Sequence, residues 1–139
     1  MRDVFVDSSG FFAALDEKDP FHAEAIRLFK QAEAGRWTLF TTNYVVHETW
    51  ALVQRRLGWI ALDDFLSILL PACQIEYIGP RFHEAGVQRC RAERVRRLSL
   101  TDCVSFESMD RRGVREAIVN DVHFLSRGYT NPAREPPQV

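Results

Sequence analysis

Residues 3–9 read Asp3-Val4-Phe5-Val6-Asp7-Ser8-Ser9, an apolar run that ends in an acid and two hydroxyls. The run predicts a short buried strand, and the two serines predict the cap of a helix over 11–15. A carboxylate at the end of a buried strand is costly to desolvate unless something compensates its charge. Asp7 is therefore the first candidate for a functional side chain.

The rest of the chain continues to alternate strand and helix patterns. After the strand at 3–6, further strands are predicted at 37–40, 74–78 and 116–119. Helices are predicted at 19–34, 43–57 and 60–70, from Pro80 onward, at 102–112 with Thr101 as the cap, and at 122–126. Strands separated by helices predict an α/β fold whose parallel sheet is covered on both faces.

Length and composition predict one cytoplasmic domain. The 139 residues are 46% hydrophobic, enough for one substantial core. No apolar run approaches the roughly 20 residues that span a bilayer, and the N-terminus does not resemble a signal peptide. The three widely spaced cysteines are expected to be free thiols in a reducing compartment. The domain is expected over 1–130, and the proline-containing tail 131–139 is expected to be mobile.

Basic residues are concentrated in the second half of the chain. Residues 1–80 carry 7 bases and 11 acids, whereas residues 81–139 carry 11 arginines and 8 acids, for a net charge of −1 overall. Guanidinium groups favour bidentate contacts with phosphate. The candidate RNA-phosphate contacts are Arg94, Arg96, Arg97 and Arg112. A solvated helix face remains the alternative interpretation of these clusters.

Three further acids stand in positions comparable to that of Asp7. Asp121 follows the last predicted strand, Asp102 begins a helix, and Glu48 lies on a largely apolar helix face. Carboxylates that converge repel one another unless a cation lies among them. Oxygen ligands favour magnesium or manganese over zinc, and no pair of the four histidines has metal-ligand spacing.

Each acid also has a purely structural interpretation. Asp7 could cap the helix that follows it, and Asp102 could be a favourable first-turn charge. Glu48 could pair with Arg55 or His47. Asp121 could cap the short helix at 122–126.

Four segments in order resemble the PIN domain family, and within it the VapC-type toxins of bacterial and archaeal toxin-antitoxin pairs. The segments are Val4-Phe5-Val6-Asp7-Ser8-Ser9, Asn43-Tyr44-Val45-Val46-His47-Glu48, Ser99-Leu100-Thr101-Asp102-Cys103-Val104-Ser105-Phe106, and Gly113-Val114-Arg115-Glu116-Ala117 leading to Asn120-Asp121-Val122-His123-Phe124. Their order and spacing match over nearly the whole domain. Each segment alone is a weak signal, whereas the four in sequence are fairly specific.

The resemblance implies a three-layer α/β/α sandwich with a central parallel sheet of four to five strands. It also implies a magnesium-dependent endoribonuclease that acts as the toxin of a toxin-antitoxin pair. By this resemblance the acidic quartet is Asp7, Glu48, Asp102 and Asp121, which would hold Mg²⁺ or Mn²⁺. Ser8, Ser9 and Thr101 would be supporting hydroxyls.

The third and fourth predicted helices carry apolar residues on more than one face, and a monomer rarely exposes so large a patch. In related proteins this region contributes to a homodimer or to the groove for an antitoxin helix. The expected partners are therefore an RNA substrate, a cognate antitoxin and a second copy of the chain. The three tryptophans are expected in the core or at such an interface.

Other classes of function fit the sequence less well. A haloacid-dehalogenase-like phosphatase needs a second Asp two residues after the first, where Ser9 stands. A response-regulator receiver needs a late lysine, and the only lysines are Lys18 and Lys30. A non-catalytic PIN-like RNA- or protein-binding module and a housekeeping RNA-processing nuclease remain as alternatives.

Overall fold

The central sheet consists of four parallel strands in a computed structural model that describes residues 2–133. The strands are β1 (Asp3–Val6), β2 (Thr38–Thr42), β3 (Cys73–Glu76) and β4 (Ala117–Ile118), in the spatial order β3-β2-β1-β4. All three neighbouring pairs are parallel. The predicted parallel sheet is confirmed with four strands; within residues 2–133 the only further pairing is a single bridge between Glu116 and Thr130.

In the described part of the chain, seven α-helices flank the sheet. They are α1 (Ser8–Leu15), α2 (His22–Gly35), α3 (Asn43–Arg56), α4 (Trp59–Asp64), α5 (Pro80–Glu93), α6 (Leu100–Arg112) and α7 (Val122–Leu125). Because β1, β2 and β3 progress in one direction and β4 returns to the other side of β1, right-handed crossovers put α1–α4 on one face and α5 and α6 on the other. The three-layer α/β/α prediction is confirmed.

Aromatic side chains fill the two interlayer spaces. Phe11 of α1 contacts Phe29 of α2, with ring centroids 5.9 Å apart, and lies edge-on to Phe65 at 5.0 Å. In a separate cluster, Phe106 of α6 stacks on Tyr129 at 5.0 Å. Rings at these separations add to the hydrophobic gain of burial.

Several predicted helix boundaries were wrong. Helix α1 begins at Ser8 rather than Phe11 because Asp7 is its cap and accepts the N–H of Ser9. The cap of α6 is Ser99, not Thr101. The predicted fourth helix is α4 followed by a π-helical segment at Phe65–Leu69 and a 3₁₀ turn at Leu70–Ala72.

The three tryptophans, predicted in the core or at an interface, occupy two kinds of position. Trp37 is buried in the core, 9% exposed. Trp50 and Trp59 lie on the surface, 37% and 57% exposed, and their rings meet edge-on with centroids 6.2 Å apart. A helical apolar pattern alone does not separate a core face from a surface face.

The last described residues are anchored to the sheet. The side-chain amide of Asn131 accepts the N–H of Val119 at 3.1 Å and donates to its carbonyl oxygen at 2.9 Å. Ordered structure therefore continues past residue 130, and residues 134–139 of the expected mobile tail lie outside the described residues. No helix within residues 2–133 is long and apolar enough to cross a bilayer.

Gly10 controls how closely α1 approaches β4. A Cβ atom at this position would lie 2.3 Å from the carbonyl oxygen of Ile118. We expect Gly10→Ala to lower the free energy of unfolding by about 2–3 kcal/mol, because the backbone clash outweighs the gain of about 1 kcal/mol in helix propensity. Chemical denaturation monitored by circular dichroism measures this change.

Gly79→Ala is the matched control. A Cβ there would meet nothing within 4 Å, and its backbone has an ordinary negative φ. Because Gly79 is the N-cap of α5, where alanine is less favourable than glycine, the unfolding free energy of this variant should fall by no more than about 1 kcal/mol. Equal effects of the two substitutions would contradict the close-packing explanation.

Candidate active site

The β1–α1 corner holds Asp7 in a buried position. The backbone N–H and the hydroxyl of Ser9 donate to Oδ2 of Asp7 at 3.1 and 2.7 Å. The other carboxylate oxygen, Oδ1, is buried without a hydrogen-bond partner, and the residue is only 1% exposed. An unsatisfied buried carboxylate oxygen is unfavourable unless a cation or a proton accompanies it. Buried hydroxyl Oγ1 of Thr49 is likewise without a partner.

The corner lies beside the end of β4, where the sheet order reverses. The N–H of Asp7 donates to the carbonyl oxygen of Ile118 at 3.2 Å, and the N–H of Asn120 donates to the Ser9 hydroxyl at 2.9 Å. Asp121 follows directly and caps α7, accepting the N–H of His123 at 2.7 Å. Ligands in open parallel sheets bind at such a switch point, beyond the carboxyl ends of the strands.

Glu48 of α3 is linked to the same corner. The Ser8 hydroxyl donates to Oε1 of Glu48 at 2.5 Å. A glutamate is accommodated on this apolar helix face because Ser8 of α1 donates a hydrogen bond to it. The alternative pairings with Arg55 or His47 are not among the contacts of the described residues.

Asp102 is fixed at the start of α6 by a reciprocal pair of hydrogen bonds with Ser99. The Asp102 N–H donates to the Ser99 hydroxyl at 3.0 Å, and the Ser99 N–H donates to Oδ2 of Asp102 at 3.2 Å. Such a capping box satisfies two N–H groups at the helix start and fixes the carboxylate. Ser99 was not among the predicted site residues, although the Ser-x-x-Asp spacing of residues 99–102 is a sequence signal for this capping box.

The four acids share one electrostatic environment. Burial, followed by the charges of Asp102 and Glu48, raises the pKa of Asp7 to about 7 despite the bonds from Ser9. Burial, followed by the charges of Asp121 and Glu48, raises the pKa of Asp102 to about 6. The charges of neighbouring acids therefore add to burial in favouring the neutral forms of Asp7 and Asp102.

This arrangement fits a divalent cation by charge and burial. The unpartnered Oδ1 of Asp7 is a hard oxygen donor of the kind that magnesium and manganese prefer. Within residues 2–133, however, no three acidic, histidine or cysteine side chains converge on one coordination point. The structural interpretations also hold for three acids, since Asp7 and Asp121 cap helices and Asp102 is a first-turn charge in the capping box of α6. Side-chain rotations would be needed for these acids to ligate one ion together.

The predicted supporting hydroxyls occupy different positions. Ser8 and Ser9 hydrogen-bond to acids of the quartet, as described above. Thr101 instead lines a neighbouring cavity with Asn43, Tyr44 and His47.

The predicted phosphate-binding arginines are divided between the two ends of α6. Arg94, Arg96 and Arg97 are exposed in the segment that leads into Ser99, close in sequence to Asp102. Arg112 lies ten residues beyond Asp102, about 15 Å along the helix at 1.5 Å per residue. Its guanidinium lies 3.9 Å from the centroid of the Phe40 ring. The structure does not bring Arg112 together with the acids.

Comparison with known proteins gives one consistent family. The sequence profile described as PIN domain matches residues 4–127. The chain is 30% identical over 128 residues to the 23S rRNA-specific endonuclease VapC20 from two Mycobacterium tuberculosis strains, CDC 1551 and H37Rv. These matches cover 91% of this chain and 95% of the relatives.

Solved structures agree with the sequence matches. The crystal structure of M. tuberculosis VapC20, described as a sarcin-ricin loop cleaving toxin, superposes with a TM-score of 0.80 at 28% identity, covering 91% of this chain and 95% of that one. The fold is also shared with VapBC2 from Rickettsia felis, solved with a promoter DNA fragment, with a TM-score of 0.64 at 11% identity and coverage of 93% and 96%. The chain therefore belongs to the PIN domain family, in its group of VapC-type ribonuclease toxins.

Proposed function

We propose that this chain is a magnesium-dependent endoribonuclease in which the four acids form the metal-binding active site. The observation that carries the proposal is the buried, unpartnered Oδ1 of Asp7 within the field of Asp102 and Glu48. Nucleases of the PIN family generally use divalent metal ions. Magnesium is the proposed ion, with manganese as its closest substitute, because the donors are all oxygens.

The proposed roles of the four acids follow from their burial and from their hydrogen bonds with serines. Asp7 and Asp102 are the proposed principal ligands, since each is buried and oriented by a serine. Glu48 and Asp121 would hold a second ion or bind through water. When bound, the metal would polarise the phosphate, lower the pKa of bound water and stabilise the leaving oxygen. Ser8 and Ser9 would support Glu48 and Asp7 through the hydrogen bonds that they donate to these two carboxylates.

The proposed substrate is RNA. The relative VapC20 is named for 23S rRNA, so ribosomal RNA is the first substrate to test, followed by tRNA. As in a toxin-antitoxin pair, the proposed protein partner is a cognate antitoxin. RNA as substrate and three free cysteines favour the cytoplasm as the place of action.

A second copy of the chain is the proposed partner of an exposed apolar surface. Four large apolar side chains on α3, α4 and the π-helical segment are exposed, namely Trp50, Trp59, Ile60 and Ile68. Scattered apolar residues are ordinary on protein surfaces, whereas a contiguous patch marks an interface. Sedimentation of the purified chain tests the dimer, and replacing Ile60 and Ile68 with serine should favour the monomer.

The direct test follows cleavage of purified ribosomal RNA and tRNA by the chain free of any partner. Cleavage with magnesium that is lost in EDTA and in the Asp102→Asn variant supports the proposal. Cleavage that persists in EDTA would exclude a metal-dependent mechanism. Tight RNA binding without cleavage in magnesium or manganese would favour the non-catalytic binding module.

We expect the three arginines before α6 to contribute electrostatic affinity for RNA. Replacing Arg94, Arg96 and Arg97 together with glutamine should weaken RNA binding about tenfold or more and reduce the dependence of log K on log salt by about 2, because about 0.7 is lost per single-strand phosphate contact. Fluorescence anisotropy over a salt series measures both quantities.

Arg112→Gln is the control for this prediction. Arg112 stacks on Phe40 and donates to the side-chain oxygen of Gln74 at 3.5 Å, at the far end of α6. Its loss should leave the salt dependence unchanged. If log K depended less on log salt for Arg112→Gln than for the triple variant, the RNA would instead run past the C-terminal end of α6, where Arg112 lies.

A further inference from the structure

A second cavity adjoins the acidic site without including any of its acids. Its volume is about 320 Å³, and it is lined by Asn43, Tyr44, His47 and Thr101. This volume is at the lower end of the range, about 300–1,000 Å³, in which proteins bind small organic groups. The lining combines aromatic rings with an amide and a hydroxyl.

Two of the four acids, Glu48 and Asp102, lie on the same two helices that line the cavity. Tyr44 precedes Glu48 by four residues on α3, so the two side chains lie on one helix face about 5–6 Å apart at Cβ. Thr101 immediately precedes Asp102 in the first turn of α6. If an RNA strand binds with its scissile phosphate at the acids, the adjacent nucleotide would therefore lie at the cavity.

The walls of the cavity are held in place before any ligand binds. The Tyr44 hydroxyl is hydrogen-bonded to Nδ1 of His83 on α5, and the two ring centroids are 6.0 Å apart. The side-chain oxygen of Asn43 accepts the N–H of Ile78 at 2.8 Å, which leaves its NH₂ group available to a ligand. Both contacts cross between elements, so they fix the lining side chains relative to the site.

The chemistry of the lining favours a base over a phosphate. No arginine or lysine is among the lining residues in the described part of the chain. Single-stranded RNA is recognised by stacking of unstacked bases on tyrosine or histidine and by hydrogen bonds to base edges. An aromatic ring beside an amide provides both kinds of contact.

We propose that this cavity binds the unstacked base of the nucleotide next to the scissile phosphate, with Tyr44 as the stacking surface and His83 as the residue that positions it. The proposal rests on the proposed ribonuclease function, because that function places a phosphodiester at the acids. Tyr44 and His83 thereby determine which nucleotide is preferred beside the cleaved bond.

The test measures binding rather than cleavage. Fluorescence anisotropy compares a labelled hexauridylate with an abasic ribose-phosphate strand of the same length and charge, in EDTA and in an Asp7→Asn background, so that neither strand is cut. The background protein should bind the base-containing strand about tenfold more tightly than the abasic strand. Tyr44→Ala should remove that preference and leave abasic binding unchanged, since the phosphate contribution is the same for both strands.

Further variants separate stacking from folding. Tyr44→Phe keeps the ring and should retain the preference, whereas His83→Ala should reduce it. Tyr77 is an exposed tyrosine that does not line the cavity, and Tyr77→Ala should behave as the background protein does. Thermal unfolding verifies that each variant is folded, and Tyr44→Leu replaces Tyr44→Ala if the latter is not.

Equal affinity of the background protein for the two strands would overturn the inference, and the abasic strand makes this comparison without altering the cavity. An equal loss on both strands in Tyr44→Ala would also overturn it, because that pattern indicates a structural effect. The binding test cuts no RNA, so its outcome does not depend on cleavage. Absence of cleavage by the unmodified chain would refute the proposed function and leave the measured base preference as it is. Cleavage without base preference would refute only the present inference.

Discussion

The Asp7→Asn variant is expected to lose RNA cleavage by at least about a hundredfold to a thousandfold while its fold remains intact. Loss of even an indirect support of a metal ligand typically costs about 10–100-fold, and loss of one stabilising group in an active site costs about 10²–10³-fold. Asp7 is proposed as a direct ligand, so its effect should be at or above these values. Asparagine is neutral and offers an NH₂ group where one carboxylate oxygen stood.

The same substitution should stabilise the metal-free protein at neutral pH. The amide oxygen of asparagine can still accept both hydrogen bonds from Ser9, and asparagine is a favourable helix cap. Its NH₂ group would take the place of the unpartnered Oδ1, where it faces the charges of Glu48 and Asp102. We therefore expect a higher thermal midpoint in EDTA together with lower activity in magnesium.

Two measurements check this pair of expectations, namely initial cleavage rates in magnesium and thermal unfolding in EDTA at pH 7.5. Asp16→Asn is the matched control, because the Asp16 side chain accepts the N–H of Lys18 in an exposed turn at the other end of α1. Its activity should equal that of the unmodified chain. Full cleavage by Asp7→Asn in the presence of metal would exclude Asp7 as a ligand.

Much of the site could be predicted from strand ends alone. Asp7 and Asp121 follow the two strands that flank the reversal of the sheet order, and parallel strands bring their carboxyl ends to one edge. Glu48 was identified by its poor fit to an apolar helix face, and its partner Ser8 lies 40 residues away in sequence. Such a tertiary contact has no local signal, which is why the alternative partners considered for Glu48, Arg55 and His47, did not include Ser8.

Other features depended on information that the sequence pattern lacks. Arg112 was grouped with the other candidate arginines by residue type, but a helix separates residues along its length as well as around its axis. Trp50 and Trp59 follow the same apolar spacing as core residues, yet they are exposed because no other described element covers that part of α3 and α4. Ser99 did have a local signal, and Thr101 was chosen as the cap because it stands closer to the acid.

The metal-free chain is expected to become less stable as the pH rises from about 4 to about 7. The pKa of Asp7 is raised from 3.8 to about 7 in the folded state, and that of Asp102 from 3.8 to about 6. Between these pH values the folded protein retains protons that the unfolded chain has released. Stability falls with rising pH wherever the unfolded state binds fewer protons. The stabilisation of the folded state by the raised pKa values of Asp7 and Asp102 is therefore complete below about pH 4 and lost above about pH 7.

The size of this effect can be isolated with a double variant. Each pKa unit corresponds to about 1.4 kcal/mol, so the raised pKa values of Asp7 and Asp102 together correspond to a change in unfolding free energy of at most roughly 7 kcal/mol. Other carboxylates contribute with the opposite sign, as Glu93 does, because its hydrogen bond from Arg127 lowers its pKa. The difference between the unmodified chain and Asp7→Asn/Asp102→Asn, measured by urea denaturation from pH 4.5 to 8, removes those contributions.

Magnesium should reverse the pH trend in the unmodified chain and leave the double variant unaffected. A cation that binds only the folded state stabilises it by RT ln(1 + [L]/Kd), and its affinity increases as the acids lose their protons. The stabilisation by magnesium should consequently be larger at pH 8 than at pH 5. Equal pH slopes in the two proteins, or magnesium stabilisation that persists in the double variant, would show that the buried acids do not form the metal site. The opposite outcome is that magnesium removes the fall of unfolding free energy with rising pH in the unmodified chain while it leaves the double variant unchanged. That result would connect the unfavourable burial of Asp7 and Asp102 directly to the binding of the ion.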